Sequence, residues 1–397
     1  MHSSMSLIDD LELIERTILP TDPSFNAVDR AELNSQILEA RMFAVAKQRD
    51  DFLLSVMRLM ALPRNGHTRL IPNQSISALP LRFATVGNSV RLMQTPPGFY
   101  PAIGGELISI NGVGIDDLEH LSTPFLAGTS QRKRVIRPIL FVWPSALVRL
   151  GVNLRGDTLE YQMRDVNGMC FSISLDSSKA VCSTDFYPSN EHGKTDASWS
   201  PCSLMKIKSF DPVGLLIVLP SFFDPIGTDL ADAISEAAGC IASSPETHLV
   251  IDIRGNTGGN FLQTLPLIDA IVAGAKWRQV RVLVDKFTFS AAIVFVAILK
   301  HRLGARLKLI GEEMGDGLKF HAEGSTLRLP FSGAAVRYST ALHDWEEGRV
   351  DHTTPPEIAN VIVPVGTLEI DRIWAENSDD DEARDSLCRD ILRDLNS

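Results

Sequence analysis

Three stretches of this sequence carry residue types that could do chemistry. The first is His248-Leu-Val-Ile-Asp-Ile-Arg-Gly-Asn-Thr-Gly258-Gly259-Asn260, an apolar run opening into a glycine-rich turn. Backbone amides in such a turn, at the carboxyl end of a buried strand, can hold a phosphate or a developing oxyanion. The second is Val282-Leu-Val-Asp-Lys-Phe-Thr-Phe-Ser290-Ala291-Ala292, where a strand ends and a serine opens an apolar helix. The orphan amides and the dipole of a helix start favour negative charge beside such a hydroxyl. The third is Arg64-Asn-Gly-His67-Thr, a histidine on a tight turn. A histidine is the side chain best suited to take and return a proton near neutral pH.

Taken singly, each has a plain structural explanation. A glycine turn can simply join a strand to a helix, Ser290 can be a helix cap, and His67 can be a surface or capping residue. Two other readings of the glycine turn fail on spacing. Gly255-Asn-Thr-Gly258-Gly259 is not the GxGxxG that opens a dinucleotide-binding helix, and no Gly-Lys-Ser/Thr follows it as a phosphate loop requires.

The elements that must position these residues follow from periodicity. Residues 7–62 have helical spacing, with Leu11, Leu13 and Ile14, then Leu33, Ile37, Leu38, Met42, Phe43 and Val45, then Leu53, Leu54, Met57 and Met60. Asp22-Pro23 breaks the first helix from the second. From about 76 to 183 the texture is short β-like runs such as Val90–Met93, Glu106–Asn111 and Leu159–Met163, with a hairpin turn at Asp165–Gly168. Residues 138–151 read as helix and 184–203 as a polar linker. From 213 onward strands (215–219, 248–253, 280–284, 307–310) alternate with helices (229–241, 261–273, 290–303), which predicts a buried, mostly parallel α/β sheet. The acidic stretch 376–386 reads as a solvated helix start. The division expected is a helical cap over 1–75, a β-rich domain over 76–190 and an α/β core over 191–397.

The 397 residues are 44% apolar and 22% charged, enough for sizeable cores. The formal charge of −11 disfavours nucleic acid or an anionic membrane as partner, since both call for a basic surface. The N-terminal residues lack the basic start and apolar stretch of a signal peptide, and no run of apolar residues is long enough to span a bilayer. Cys170, Cys182, Cys202, Cys240 and Cys388 are scattered with no CxxC pair, and read as reduced, mostly packing thiols. A cytoplasmic location is expected. No metal or organic cofactor is implied, because no His/Cys/Asp cluster has ligand spacing.

In combination and order the three stretches resemble the S41 peptidases, which include the tail-specific (carboxyl-terminal processing) proteases and the tricorn core protease. Ile251-Asp-Ile-Arg-Gly-Asn-Thr-Gly-Gly resembles the family's LRGNxGG turn, and Val284-Asp-Lys-Phe-Thr-Phe-Ser290-Ala-Ala its nucleophile segment. Leu216-Ile-Val-Leu-Pro-Ser-Phe222 is similar to the YIRIPSF strand, and Leu309-Ile-Gly-Glu312 to the strand after the nucleophile. Asn65-Gly-His67-Thr is similar to the DGHT of the tricorn-like branch, and Gly104-Gly-Glu-Leu-Ile-Ser-Ile-Asn-Gly to a strand and turn of a PDZ-like domain.

The resemblance spans about residues 35–365. It implies an α/β fold, with a crotonase/ClpP-like core, a helical N-terminal cap and a PDZ-like β-rich middle domain. It also implies a serine peptidase with Ser290 as nucleophile and His67 as general base. The amides of Gly259 or Gly258 and of Ala291 would form the oxyanion hole. A glutamate, Glu347 or Glu346, would complete the triad. The sequence departs from the family pattern in having Asn65 for the DGHT aspartate and Ile293-Val294 where an acidic residue often follows the nucleophile. It also has no lysine in register after Gly311-Glu312, Lys319 lying nearby, so the base falls to His67.

The expected substrate is an unstructured peptide or the carboxyl end of an unfolded protein, and a homo-oligomer is compatible with the chain. The PDZ-like stretch could bind peptide ends or serve as a rigid connector. The alternative from another class is an inactive S41-fold protein that binds peptides or other ligands. Acyl transfer on a crotonase-like core is a third option, for which the basic residues wanted near coenzyme A phosphates are not evident.

Overall fold

The computed structural model describes residues 6–71, 76–154, 156–182, 205–210, 214–224, 229–274, 277–374 and 391. The linker read at 184–203 and the acidic stretch 376–386 therefore lie outside the described residues, as do Cys202 and Cys388. The chain divides into two compact units, one of the residues up to 191 with His321–Ala341, the other of residues 192–320 and 342–397.

The first unit opens with three helices, Leu7–Thr17, Arg30–Val45 and Arg49–Ala61. Ser6 caps the first in a capping box with Asp9, and Asp29 caps the second by accepting from the Ala31 and Glu32 amides. Asp22, as expected of the Asp22-Pro23 break, caps the short 3₁₀ turn Pro23–Ala27. On Arg30–Val45 the buried face is Leu33, Gln36, Ala40 and Ala44. Leu38, Met42 and Val45 are exposed at 68%, 57% and 64%, so the apolar spacing overstated the width of that face. The β-rich middle is an antiparallel sheet ordered Arg82–Val86, Ser89–Gln94, Glu106–Ile110, Thr158–Arg164 and Cys170–Asp176. Its Thr158–Arg164 strand alternates buried Leu159, Tyr161 and Met163 with outward residues, the pattern of a sheet with one solvated face. One core joins helices and sheet, with Phe52, Phe141, Trp143 and Tyr161 fully buried.

Residues 321–341, placed with the core in the sequence-based division, belong here because of strand pairing. Arg69–Ile71 pairs antiparallel with Ala335–Tyr338, which in turn pairs with Ser325–Arg328.

The second unit is built on a six-stranded sheet in the order Lys206–Phe210, Gly214–Val218, His248–Asp252, Gln279–Val284, Leu307–Gly311 and Arg372–Ile373. The first pair is antiparallel and the rest are parallel. Every residue of Gly214–Val218 and of His248–Asp252 is buried, as strands covered on both faces require. Helices Leu230–Ser243, Leu265–Ala273 and Ala291–Leu303 connect the strands, and a 3₁₀ turn at Phe261–Thr264 replaces the first part of the helix expected over 261–273. The run Ala291–Leu299 is buried on every side. Each large side chain in it contributes about 1.5–3 kcal/mol of burial, so the start of this helix is firmly anchored. The chain is thus a mixed α/β protein with a helical N-terminal part, a β-rich middle and an α/β core. Among the described residues no helix is long and apolar enough to cross a membrane.

Candidate active site

Ser290 caps the Ala291–Leu303 helix at φ 57° and ψ −125°, a left-handed conformation that L-residues rarely adopt. Its side chain caps nothing, so the N-cap reading is not what holds it there. The strand Gln279–Val284 delivers the chain to this point, and the turn Asp285–Phe289 reverses it sharply into the helix. A serine on a strained strand-to-helix turn presents its hydroxyl outward, with the positive end of the helix beside it. Lys300, His301 and Arg302 in the last turn oppose the dipole at the other end.

The glycine turn lies directly against this serine. A Cβ on Gly258 would sit 2.8 Å from Ser290 Cβ and 3.1 Å from the Ala291 nitrogen. A Cβ on Gly259, at φ 136°, would sit 1.9 Å from the Phe222 carbonyl oxygen. Both positions therefore need glycine, for close approach as much as for backbone freedom. Phe222 brackets the turn, its amide donating to Gly258 O at 2.9 Å and its carbonyl accepting from Asn260 N at 2.7 Å.

Asn256, fully buried, organises the same turn. Its Nδ2 donates to Leu219 O at 3.0 Å, its Oδ1 accepts from Gly258 N at 2.9 Å, and its carbonyl accepts from Phe289 N at 3.1 Å. The Gly258 amide is thereby occupied, while the amides of Gly259 and Ala291 have no acceptor among the described residues. Of the two glycines named from the sequence, Gly259 has the amide able to meet an oxyanion. Asn256 stands inside the quoted LRGNxGG match but received no role there, because two of its three contacts, with Leu219 and Phe289, come from segments distant in sequence.

His67 belongs to the first unit, on the turn between the helix ending at Ala61 and the strand beginning at Arg69. It is 2% exposed, so it is not a surface histidine. The turn is tied down on both sides of it. Asn65 Nδ2 donates to Thr68 Oγ1, His321 O and Ser339 Oγ at 2.9, 3.0 and 3.0 Å, and Asn65 Oδ1 accepts from His321 N at 3.2 Å. Thr68 Oγ1 donates to Asp22 Oδ2 at 2.6 Å, which also accepts from Ser339 N at 2.9 Å. An asparagine suits this place because its amide both donates to and accepts from the His321 backbone, which an ionised aspartate cannot do.

Glu346 and Glu347 lie in the second unit, just after the strand Ala341–Asp344. The Glu347 amide donates to Asp344 Oδ1 at 2.9 Å, and its half-exposed carboxylate pairs with Arg349 at 3.0 Å and lies 3.9 Å from Lys319 Nζ. Lys319 itself pairs with buried Asp344 at 2.9 Å. The structure thus brings together Ser290, Ala291, Gly258 and Gly259 in one unit, with Glu346 and Glu347 on another loop of that unit.

Beneath the Ser290 turn lies Asp285, partly buried. Its Oδ1 accepts from the amides of Gly255, Phe287 and Thr288 at 3.1, 3.1 and 2.9 Å, and its Oδ2 from Gly255 at 3.1 Å. Burial pushes its carboxyl up to about 6 against the lowering effect of these donors, so it is ionised at neutral pH. Cys170 and Cys240 are free thiols, and Cys170 is exposed rather than packed as expected. Among the described residues no group of three or more His, Cys, Asp or Glu side chains could hold a metal ion.

The sequence matches no family model and no curated protein. Solved structures are similar in fold. Mature CPAF complexed with lactacystin is 12% identical, with a TM-score of 0.55 over 91% of this chain and 93% of that one. Mature CPAF itself is 13% identical, with a TM-score of 0.52 over 93% of this chain and 92% of that one. At such identities the likeness is one of fold, and it extends over nearly the whole of both chains.

Proposed function

We propose that this chain is a serine peptidase that cleaves unstructured peptides or the carboxyl ends of unfolded proteins. The observation that carries the reading is Ser290, held at positive φ at the start of a buried helix, with the Gly258-Gly259 turn against its Cβ. The serine side chain makes no cap hydrogen bond at the helix start, and residues held in such strained backbone conformations cluster at active sites. The S41-like motif order and the fold likeness to CPAF support the same reading.

In this proposal Ser290 Oγ attacks the carbonyl carbon of a peptide bond while His67 takes the hydroxyl proton. The carbonyl oxygen, now negative, is met by the amides of Gly259 and Ala291 and by the helix start. The C–N bond breaks, His67 returns its proton to the leaving amine, and the acyl group remains as an ester on Ser290. Water then attacks that ester with His67 again as base, which releases a carboxylic acid and restores the hydroxyl. Glu347 is the favoured partner to orient His67, with Glu346 the alternative. One such amide donor is worth about 3 kcal/mol in the transition state.

Fluorophosphonate labelling read by intact mass tests the proposal on wild type, Ser290→Ala and His67→Ala. One adduct on wild type, absent in the serine variant and slowed in the histidine variant, is the expected result. Folded wild-type protein that takes no adduct would sink it and leave a ligand-binding protein on a peptidase-like fold. Because CPAF was solved complexed with lactacystin, that compound serves as a second probe.

A further inference from the structure

Two turns converge at the candidate nucleophile, and they are far apart in sequence. One is Ile253–Gly259, which supplies the Gly259 amide; the other is Asp285–Ser290, which supplies the hydroxyl. Asp285 is the side chain that grips both. Its two oxygens accept from the Gly255 amide at 3.1 Å each, on the first turn. Its Oδ1 accepts from the Phe287 and Thr288 amides and from Thr288 Oγ1 at 3.1, 2.9 and 3.1 Å, on the second. Thr288, fully buried, adds a second tie: its hydroxyl lies 3.3 Å from Ile253 O and accepts from Asp285 N at 3.0 Å. Beyond the clamp, Phe289 N donates to Asn256 O, and the Thr288 carbonyl accepts from Gly315 N at 2.9 Å.

We infer that Asp285, with Thr288, is a positioning residue that sets the spacing between Ser290 and the Gly259 amide. The inference rests on the peptidase reading of Ser290, and it assigns to Asp285 a part in that chemistry without contact with substrate. The mechanism is geometric. The oxyanion donor and the attacking oxygen belong to separate turns, each short, and no regular strand pairing reaches either tip. A displacement of about 1 Å between them costs on the order of a hundredfold in rate.

The two carboxylate oxygens have different duties, which makes an amide substitution selective. Oδ1 takes all the bonds from the second turn, whereas Oδ2 faces the Gly255 amide alone. In Asp285→Asn the oxygen keeps the four-donor position and the NH₂ faces the Gly255 N–H, donor against donor. The second turn survives, while the grip on the first is weakened, because one of its two bonds to Gly255 becomes a repulsive contact.

The test uses the full chain as Asp285→Asn, Thr288→Val and Thr288→Ser. The rate of Ser290 acylation by a fluorophosphonate, kcat and KM on an unstructured peptide, the thermal midpoint and amide hydrogen exchange of residues 253–260 are measured. For Asp285→Asn the expected result is a 10- to 100-fold fall in acylation rate and kcat. KM should stay within twofold, and exchange should be faster at Gly255 while the flanking strands keep their protection. Thr288→Val should lose about tenfold, and Thr288→Ser, which retains the hydroxyl, should stay within twofold of wild type. Acylation and kcat within twofold of wild type in Asp285→Asn, or a fall in rate that only tracks the unfolded fraction, would overturn the inference. If Asp285→Asn does not fold, the Thr288 pair decides: equal rates in Thr288→Val and Thr288→Ser would overturn it. If wild-type Ser290 takes no adduct the peptidase reading fails by itself. Exchange at Gly255 then still decides whether Asp285 holds the turn, unchanged protection in Asp285→Asn removing the role.

Discussion

In the first unit the turn bearing His67 is fixed by side chains: Asn65, Thr68, Asp22 and Ser339 form a buried network whose members come from three separate segments. In the second unit the turn bearing Ser290 is fixed mainly by backbone, with Gly258 and Gly259 packed to the limit against Ser290 and Phe222 and amides gathered onto Asp285. A side-chain network tolerates small movement, because hydrogen bonds can lengthen by tenths of an ångström. Close-packed backbone does not, since a single added methyl group meets an atom under 2 Å away. The difference accords with the roles proposed. A proton acceptor works over a range of hydrogen-bond geometries, whereas an oxyanion hole must meet its charge within a fraction of an ångström.

The sharpest way to break this contrast is Gly259→Ala. The new Cβ would fall 1.9 Å from Phe222 O, so the turn must move away from Ser290. Acylation is expected to fall by about a thousandfold, roughly 4 kcal/mol in the barrier, read as the fluorophosphonate rate. A rate near wild type would show that this turn supplies no oxyanion donor.

On the His67 side, Asn65→Asp removes the donor to His321 O and sets a second carboxyl near Asp22 in the same network. Urea unfolding should show a loss of about 2–3 kcal/mol, since the Nδ2 bonds to Thr68 Oγ1, His321 O and Ser339 Oγ are lost and a second carboxyl enters the buried network. Unchanged stability would mean that the network is looser than the buried side chains indicate.

Asp285 adds a pH dependence to the second unit. Its carboxyl lies at about 6 in the folded chain against 3.8 without the fold, so between these values the folded state binds more protons. Its contribution to stability is therefore fully present below about pH 4 and is lost as pH rises through 6. With partial solvent access the size is on the order of 1–3 kcal/mol. The ion pairs Lys286–Glu312 and Arg254–Asp252 stand on the adjoining segments. Chemical denaturation from pH 4 to 7 should show this slope in wild type and a flatter profile in Asp285→Asn.

The smallest effect expected is at the glutamates. Glu347→Gln should lower kcat about tenfold, roughly 1.4 kcal/mol, and Glu346→Gln less than twofold. Steady-state kinetics on the pair would reverse the assignment if the order were inverted.

Much of this was legible in the chain. Buried parallel strands announced themselves as largely apolar runs at 215–219, 248–253 and 280–284, broken only by His248, Asp252 and Arg281, because a strand covered on both faces has little polar side to show. Asp165–Gly168 was readable as a hairpin turn, and its side chain does accept from the Asn167 and Met169 amides. Residue types and spacing also set Ser290 at the head of an apolar helix and the glycines at the end of a strand. What they could not reveal was contact between distant segments. The pairing of Arg69–Ile71 with Ala335–Tyr338 carries 321–341 into the first unit, yet neither strand names its partner, since backbone hydrogen bonds are the same for every residue. Only the tertiary structure distinguished Gly259 from Gly258 as a free amide, because the occupant of the Gly258 amide is an asparagine oriented by Leu219. The roles of Asp285 and Thr288 were hidden for the same reason. Local sequence determines which conformations a segment favours, while the partner of a buried polar group is decided only when chain folding brings another segment within 3 Å of it.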